Sequence, residues 1–199
     1  MDPTDSAAPV HPSSASRILA TALDLFAVRG YDATSVREIC EAAGITKPSL
    51  YHFFGSKEGV LRALATTSFE QFRAIVDSAL ATPGPLRTRL KTITRAVFED
   101  VHRQPRLWRF LHGMVWAMPG TTELPHCMEV YDEIVGVLAR AVDEAVQTRE
   151  IAPGPTEIRM LILAGAIEEA AHGYLIAGRP ELTPELADLL VDTVLDGWQ

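Results

Sequence analysis

Between Ser35 and Gly55 the chain places helix starts and stops so close together that only two short helices fit between them. Ser35 followed by Glu38 forms a capping box: the serine hydroxyl accepts a first-turn backbone N–H, and the glutamate reaches back to the cap. Val36, Ile39, Cys40 and Ala43 then recur at i, i+3, i+4 and i+7, one apolar stripe of a short helix. Gly44 suits the left-handed residue that closes it. Lys47-Pro48 opens the next helix, where the missing proline N–H costs nothing, and Gly55 ends it. A helix of about two turns is unstable alone, so it must be pinned to its neighbours. With Leu50 pointing inward at 100° per residue, Phe53 and Phe54 fall within about 60° of it and are predicted to face inward too. Pro48 and His52 lie nearly opposite, with Ser49 and Tyr51 on the flanks.

The rest of the chain also reads as helix. A first helix spans about 15–29 and ends at Gly30. A fourth begins after Ser56 and runs to about residue 82, a rod of roughly 38 Å. Further helices are predicted near 86–103, 105–116, 125–149, 156–178 and 184–198, between Pro105, "MPGTTELP", "APGP" and "GRPELTP". Sustained alternation with β-branched residues is absent, so the expected class is all-α, with about nine helices. The expected organisation is a disordered tail (1–13), a three-helix unit with a helix-turn-helix (14–56), and a larger helical unit (57–199) whose first element, 57–82, is the connecting helix.

Apolar residues make up 47% of the chain and charged ones 22%, enough for a packed core. Cys40 and Cys127 show neither metal nor redox spacing, which points to a reduced, cytoplasmic protein. The opening "MDPTDSAAPVHPSS" lacks the pattern of a signal peptide. The longest apolar run, Met160 to Ile167, is too short to span a bilayer, so no membrane partner is expected. Net charge is −8, yet residues 13–62 carry six Lys/Arg against five acids, a net of +1, and the acid load lies elsewhere. Overall charge governs solubility and steering and does not decide what one face binds.

The short helix therefore displays a polar, aromatic strip to the outside. A second helix set at an angle across a tight Gly44-Ile45-Thr46 connection is a helix-turn-helix, whose second helix enters the major groove of DNA by its N-terminal residues. The candidate contacts follow from chemistry. Lys47 and Lys57 bracket the helix and suit phosphates. Thr34 and Ser35 stand at the start of the preceding helix, where the dipole attracts a phosphate. Thr46 stands at the head of the helix, and Tyr51 offers a phenol to the backbone. Ser49 and His52 suit base edges, and Pro48 suits a thymine methyl. Arg37 suits either backbone or base. Ordinary surface roles for Arg37 and Lys57, and a half-buried core role for Tyr51, remain open at this level.

Residues 17–64, "RILATALDLFAVRGYDATSVREICEAAGITKPSLYHFFGSKEGVLRAL", closely resemble the DNA-binding domain of TetR-type transcriptional regulators. The matching landmarks are Phe26, Gly30, Thr34, Val36, Ile39, Ala42, Gly44, Leu50, Tyr51, Phe54, Lys57 and Leu61. Phe53 stands where a histidine is common, and Cys40 where alanine is common. The resemblance implies an all-α homodimer, usually a repressor, that leaves a near-palindromic double-stranded operator when a small molecule binds the second domain. Residues 65–199 carry no quotable signature of the family.

By that analogy the last two helices form the dimer interface. Their sequence agrees: "RMLILAGAIEEAAHGYLI" is apolar nearly all round through 160–167, and Leu161 and Gly165 are candidate contacts. Leu186, Leu190 and Val194 offer one side of the final helix, and Val191, Leu195 and Trp198 a second. The alternative is one central buried helix in a monomer. A ligand pocket is suggested by Trp108, Leu111, His112, Val115 and Trp116 on one helical face, with Met114 and Met118 as an adaptable wall and Tyr131 facing the same interior; such sites are apolar with few polar groups. Plain core is the competing reading. The expected effector is apolar or aromatic. Glu169-x-x-His172 resembles half a metal site, though a surface role is preferred, and neither metal nor cofactor is expected. The basic run Arg87, Arg89, Lys91, Arg95, Arg103, Arg106 and Arg109 reads as a solvated face or an anion attractor. No catalytic motif is present, so an enzyme is not expected. The alternative function is an architectural DNA-binding protein or an activator without a ligand. The connecting rod, starting two residues after the short helix, is expected to couple ligand to DNA.

Overall fold

The structure, a computed structural model, describes residues 13–117 and 125–197, with residues 113–117 and 125–128 as backbone only. Of the positions singled out above, the tail 1–12, Met118 and Trp198 lie outside the described residues, as do the side chains of Met114, Val115, Trp116 and Cys127. All regular structure among the described residues is helical: α1 (Ser14–Arg29), α2 (Val36–Ala43), α3 (Lys47–Phe54), α4 (Lys57–Ala81), α5 (Leu86–Arg103), α6 (Pro105–Ala117), α7 (Pro125–Gln147), α8 (Thr156–Ala177) and α9 (Pro184–Asp196). The chain divides into two compact units, Met1–Ala63 and Leu64–Gln199. The division falls inside α4, two turns later than the expected start of the second domain.

The first unit packs α1, α2 and α3 against one another around Ile18, Ala22, Phe26, Ile39, Cys40, Leu50, Val60 and Leu61. Ser35 makes the capping box as the sequence predicts: its hydroxyl accepts the Glu38 N–H, and Glu38 accepts the Ser35 N–H at 2.8 Å. Gly44 closes α2 at φ 63°, a left-handed conformation that costs other residues more. Gly59 meets a different demand: a side chain there would run into the Phe54 carbonyl, so α4 passes the end of α3 too closely for any Cβ.

In the second unit α5 is central. It packs along α9 and also meets α6, α7 and α8, burying Leu86, Leu90, Ile93, Val97, Phe98 and Val101. Beside this apolar seam runs an ionic ladder. Arg87 donates to Asp192 and Asp196, Lys91 to Asp192, and Arg95 to Asp188. Three cations spaced by four on α5 thus face three aspartates spaced by four on α9. Arg103 pairs with Asp100, and the Arg109 guanidinium donates to the Leu175 carbonyl. Most of the basic run is thus paired within the unit, which speaks against an anion attractor, while Arg95, Arg103, Arg106 and Arg109 stay exposed, as a solvated face requires.

Candidate nucleic-acid interface

α3 carries the candidate interface residues, and a single deep anchor holds it: Leu50 is fully buried, while Phe54 is half-buried. Thr46, Lys47, Pro48, Tyr51 and His52 are exposed, and Ser49 is partly so. The Thr46 and Ser49 hydroxyls lie 3.0 Å apart and share a hydrogen bond across the first turn. Phe53 departs from the prediction. It is 47% exposed, with its ring edge against His52 at a centroid separation of 5.3 Å. The wheel gave its angle correctly, but α1 and α2 cover only the Leu50 direction, so the −60° flank is left open.

Two other residues differ from the sequence reading. Thr34 is 1% exposed, and its hydroxyl donates to the Gly30 carbonyl at 2.8 Å. It closes the turn between α1 and α2, and Ser35 alone makes the cap. Lys57 is drawn inward as well. Its ammonium donates to the Tyr31 and Thr34 carbonyls, both at 3.0 Å, and sits 4.1 Å over the Tyr31 ring. Two of its three N–H donors are therefore engaged within the unit. Arg37 is exposed and pairs loosely with Glu41 at 3.6 Å.

A shallow depression of 330 Å³ lies beside α3, lined by Thr34, Ser35, Val36, Tyr51, Ser56, Lys57 and Glu58. It joins the N-terminus of α2 to a phenol and a lysine, a setting that suits an anionic oxygen. Glu38 already serves as the anion at that helix end; hydrogen bonds from Ser35 hold its carboxyl below the usual range.

The second unit brings together part of the expected ligand site. Trp108 and His112 stack at 5.7 Å, and His112 meets His172 at 5.8 Å. The Trp108 indole donates to Asp100 at 3.0 Å. The His112 side chain is only 9% exposed, and its Nε2 lies 3.2 Å from Glu168 Oε2 but out of line for a hydrogen bond. Burial, and then His172, lower the His112 pKa. The surrounding helices crowd Glu168 and push its carboxyl up, although half of its side chain still reaches solvent. Burial, and then Glu168, raise Tyr131, whose ring meets Phe69 at 6.4 Å. Leu111 is half-buried. Asp100, Glu168 and His172 join this cluster without having been singled out for it. The i, i+4 spacing of Glu168 and His172 is the sequence signal for this pair, since both fall on one face of α8. A 690 Å³ groove lies elsewhere, among Arg73, Asp77, Glu129, Glu133 and Arg140. No three His, Cys, Asp or Glu side chains among the described residues could hold a metal ion.

On α8, Ile158, Leu161, Ile162 and Gly165 are exposed at i, i+3, i+4 and i+7, with Leu161 at 68%. On α9, Leu189 is exposed while Leu186, Leu190 and Val194 are half-buried.

Residues 18–64 match the family of bacterial regulatory proteins, tetR family. The transcriptional repressor KstR2 of Mycobacterium tuberculosis is 42% identical over 93 residues, which are 45% of this chain and 44% of that protein. The matched stretch thus spans less than half the length of the curated relative. Solved structures extend the likeness in fold to nearly the whole chain. The fatty acid degradation regulator FadR of Bacillus halodurans superposes with a TM-score of 0.78 at 19% identity, over 95% of this chain and 98% of that one. The ketosteroid transcriptional regulator KstR2 of Mycobacterium tuberculosis does so with 0.76 at 19%, over 94% and 95%. Residues 18–64 are thus similar to the tetR family of bacterial regulatory proteins, and the rest of the chain shares the fold of the solved regulators.

Proposed function

We propose that this protein is a DNA-binding transcriptional repressor that acts as a homodimer on a near-palindromic duplex operator and is released by an apolar or aromatic small molecule. One observation carries the reading: α3 is pinned at Leu50 and leaves Lys47, Pro48, Tyr51 and His52 exposed on a single short helix of a tetR-family unit. A packing helix of that length would spend those positions on its neighbours. The direct test is selection of duplexes from a random pool followed by mobility shift. Failure to enrich any duplex at low salt would sink the reading. Within a selected site, Lys47→Ala should lower affinity for all sequences alike and reduce the salt slope by about one unit. Ser49→Ala and His52→Ala should instead change base preference, by about 1–3 kcal/mol for a bidentate contact.

The homodimer reading rests on the apolar face of α8. That helix is long and apolar enough to cross a membrane by composition, and only 28% of its apolar window is buried. An open stripe of Ile158, Leu161, Ile162 and Gly165 suits a second copy of the same helix, with glycine allowing close approach. The effector reading rests on the rings of Trp108, Tyr131 and Phe69, which supply an apolar wall beside the polar groups of His112, His172 and Glu168. Two regulators of the same fold carry ketosteroid and fatty acid degradation in their names, and both classes are apolar. A thermal-shift screen tests this; stabilisation only by nucleotides or sugar phosphates would contradict it. α4, shared by the two units, is the proposed carrier of coupling, worth about 1–3 kcal/mol and reciprocal between ligand and DNA.

A further inference from the structure

We propose that Phe53 contacts the operator as an apolar wedge on a deoxyribose of the DNA backbone, supplying affinity without charge. The proposal rests on the DNA-binding reading above and adds a residue to it. The ring is 47% exposed on α3, a helix whose other exposed side chains are polar, cationic or ring-bearing with a polar tip or a proline. No hydroxyl or ring nitrogen gives phenylalanine a reason to face water there. Its position on the helix identifies the occupant. Ser49 and Phe53 are four residues apart, so they stand on one flank, about 6 Å apart along the axis. The Thr46–Ser49 hydroxyl pair occupies the N-terminal end of that same flank. Recognition helices present their N-terminal residues to base edges. A side chain one turn further on, in the last turn of α3, reaches the sugar-phosphate wall of the groove. A phenyl ring cannot neutralise a phosphate or accept from one. It can cover the apolar carbons of the sugar. The His52 imidazole, edge-on at 5.3 Å, limits the directions the ring can take.

This contact has a signature distinct from the other two kinds on the helix. Lysine contacts change the salt slope, and base-edge contacts change sequence preference. A sugar contact by a neutral ring changes neither, and lowers affinity uniformly when it is removed. The test uses the full-length protein and the duplex that the wild type itself selects, with binding measured by anisotropy from 50 to 300 mM salt. Phe53→Ala should weaken binding about tenfold, the worth of hiding part of a half-exposed phenyl ring. The loss should be equal on single-base variants of the site, with the salt slope unchanged. Phe53→His should steepen the slope at pH 6, where the ring gains charge, relative to pH 8. Circular dichroism should show the wild-type helix content, and sedimentation the wild-type mass. Wild-type affinity in Phe53→Ala would overturn the proposal, as would a loss confined to one base pair, a change of slope or a change of oligomeric mass. A wild-type protein that selects no duplex would instead remove the function itself.

Discussion

Lys57→Met keeps most of the aliphatic stem of this side chain and removes its charge and all three donors, so it separates two roles. In the first, Lys57 holds the α1–α2 turn against the start of α4; in the second, it neutralises a phosphate. The structure gives weight to the first. Two charge-assisted hydrogen bonds run to the Tyr31 and Thr34 carbonyls at 3.0 Å. Each such bond is worth roughly 1.5–3 kcal/mol. The ammonium also lies 4.1 Å over the Tyr31 ring, adding about 0.5–1 kcal/mol. Lys57 is half-buried, so water reaches part of this site and replaces some of the loss. The expected cost to the first unit is therefore about 2–4 kcal/mol, a large share of the stability of so small a unit. All three tryptophans lie in the second unit, so their fluorescence is blind to this change. Hydrogen exchange read by mass spectrometry is the suitable assay. Peptides covering residues 18–45 should lose protection by that amount, while peptides from α5 and α9 keep theirs. Lys57→Arg should restore part of the protection, since the charge and donors return in a different shape. The salt slope of operator binding should fall by at most about one unit, because only one N–H of Lys57 remains available. Undiminished protection in Lys57→Met together with a full one-unit loss of slope would refute the argument and return Lys57 to the phosphate.

The ionic ladder gives a second test. Asp192→Asn removes the partner of both Arg87 and Lys91 and should lower the melting temperature at low salt, with the difference from wild type closing near 1 M salt, where the Debye length shrinks to about 3 Å. Stability should also depend on pH in two separable limbs. Burial holds His112 below its ordinary range, so the unfolded chain binds that proton first, and stability should decline as pH falls from about 6.5. Asp188 and Asp192 are held low by Arg95 and Lys91, so their contribution is complete above about pH 4 and is lost as pH falls through their folded values. Glu168, held high, acts in the opposite sense between them. Urea midpoints from pH 8 to pH 3 should show the upper limb vanish in His112→Asn and the lower limb persist; an unaltered upper limb would exclude His112 as its source. Finally, Leu161→Lys should change monomer stability by no more than about 0.5 kcal/mol, because the residue is exposed, yet raise the dimer dissociation constant at least tenfold in sedimentation equilibrium. An unchanged dimer would move the interface away from the middle of α8.

What the sequence discloses depends on how local each cause is. Helix ends are set within four residues by a cap, a glycine or a proline, and Ser35, Gly44, Pro48 and Gly55 all act where they stand. The predicted bounds of α5 to α9 accordingly lie within about two residues of the observed ones. Side-chain fate is different, because it is decided by partners far away in the chain. Lys57 looks like a surface cation until Tyr31, 26 residues earlier, supplies a carbonyl and a ring. Phe53 looks like core because its angle is right, and only the packing of α1 and α2 reveals that about half of it stays uncovered. The ladder was the most recoverable of the missed features. Arg87, Lys91 and Arg95 repeat with the same spacing as Asp188, Asp192 and Asp196, and opposite charges in matching register on two helices are a pairing signal across about 100 residues. The cluster around His112 gave only a fragment of such a signal, the i, i+4 pair Glu168 and His172. Its members, Asp100, Trp108, His112, Tyr131, Glu168 and His172, come from four different helices with no shared period. A DNA-reading helix is one local segment with a polar face, so its chemistry can be read in order along the chain. An effector site exists only once several helices have converged, and its chemistry is a property of the packing.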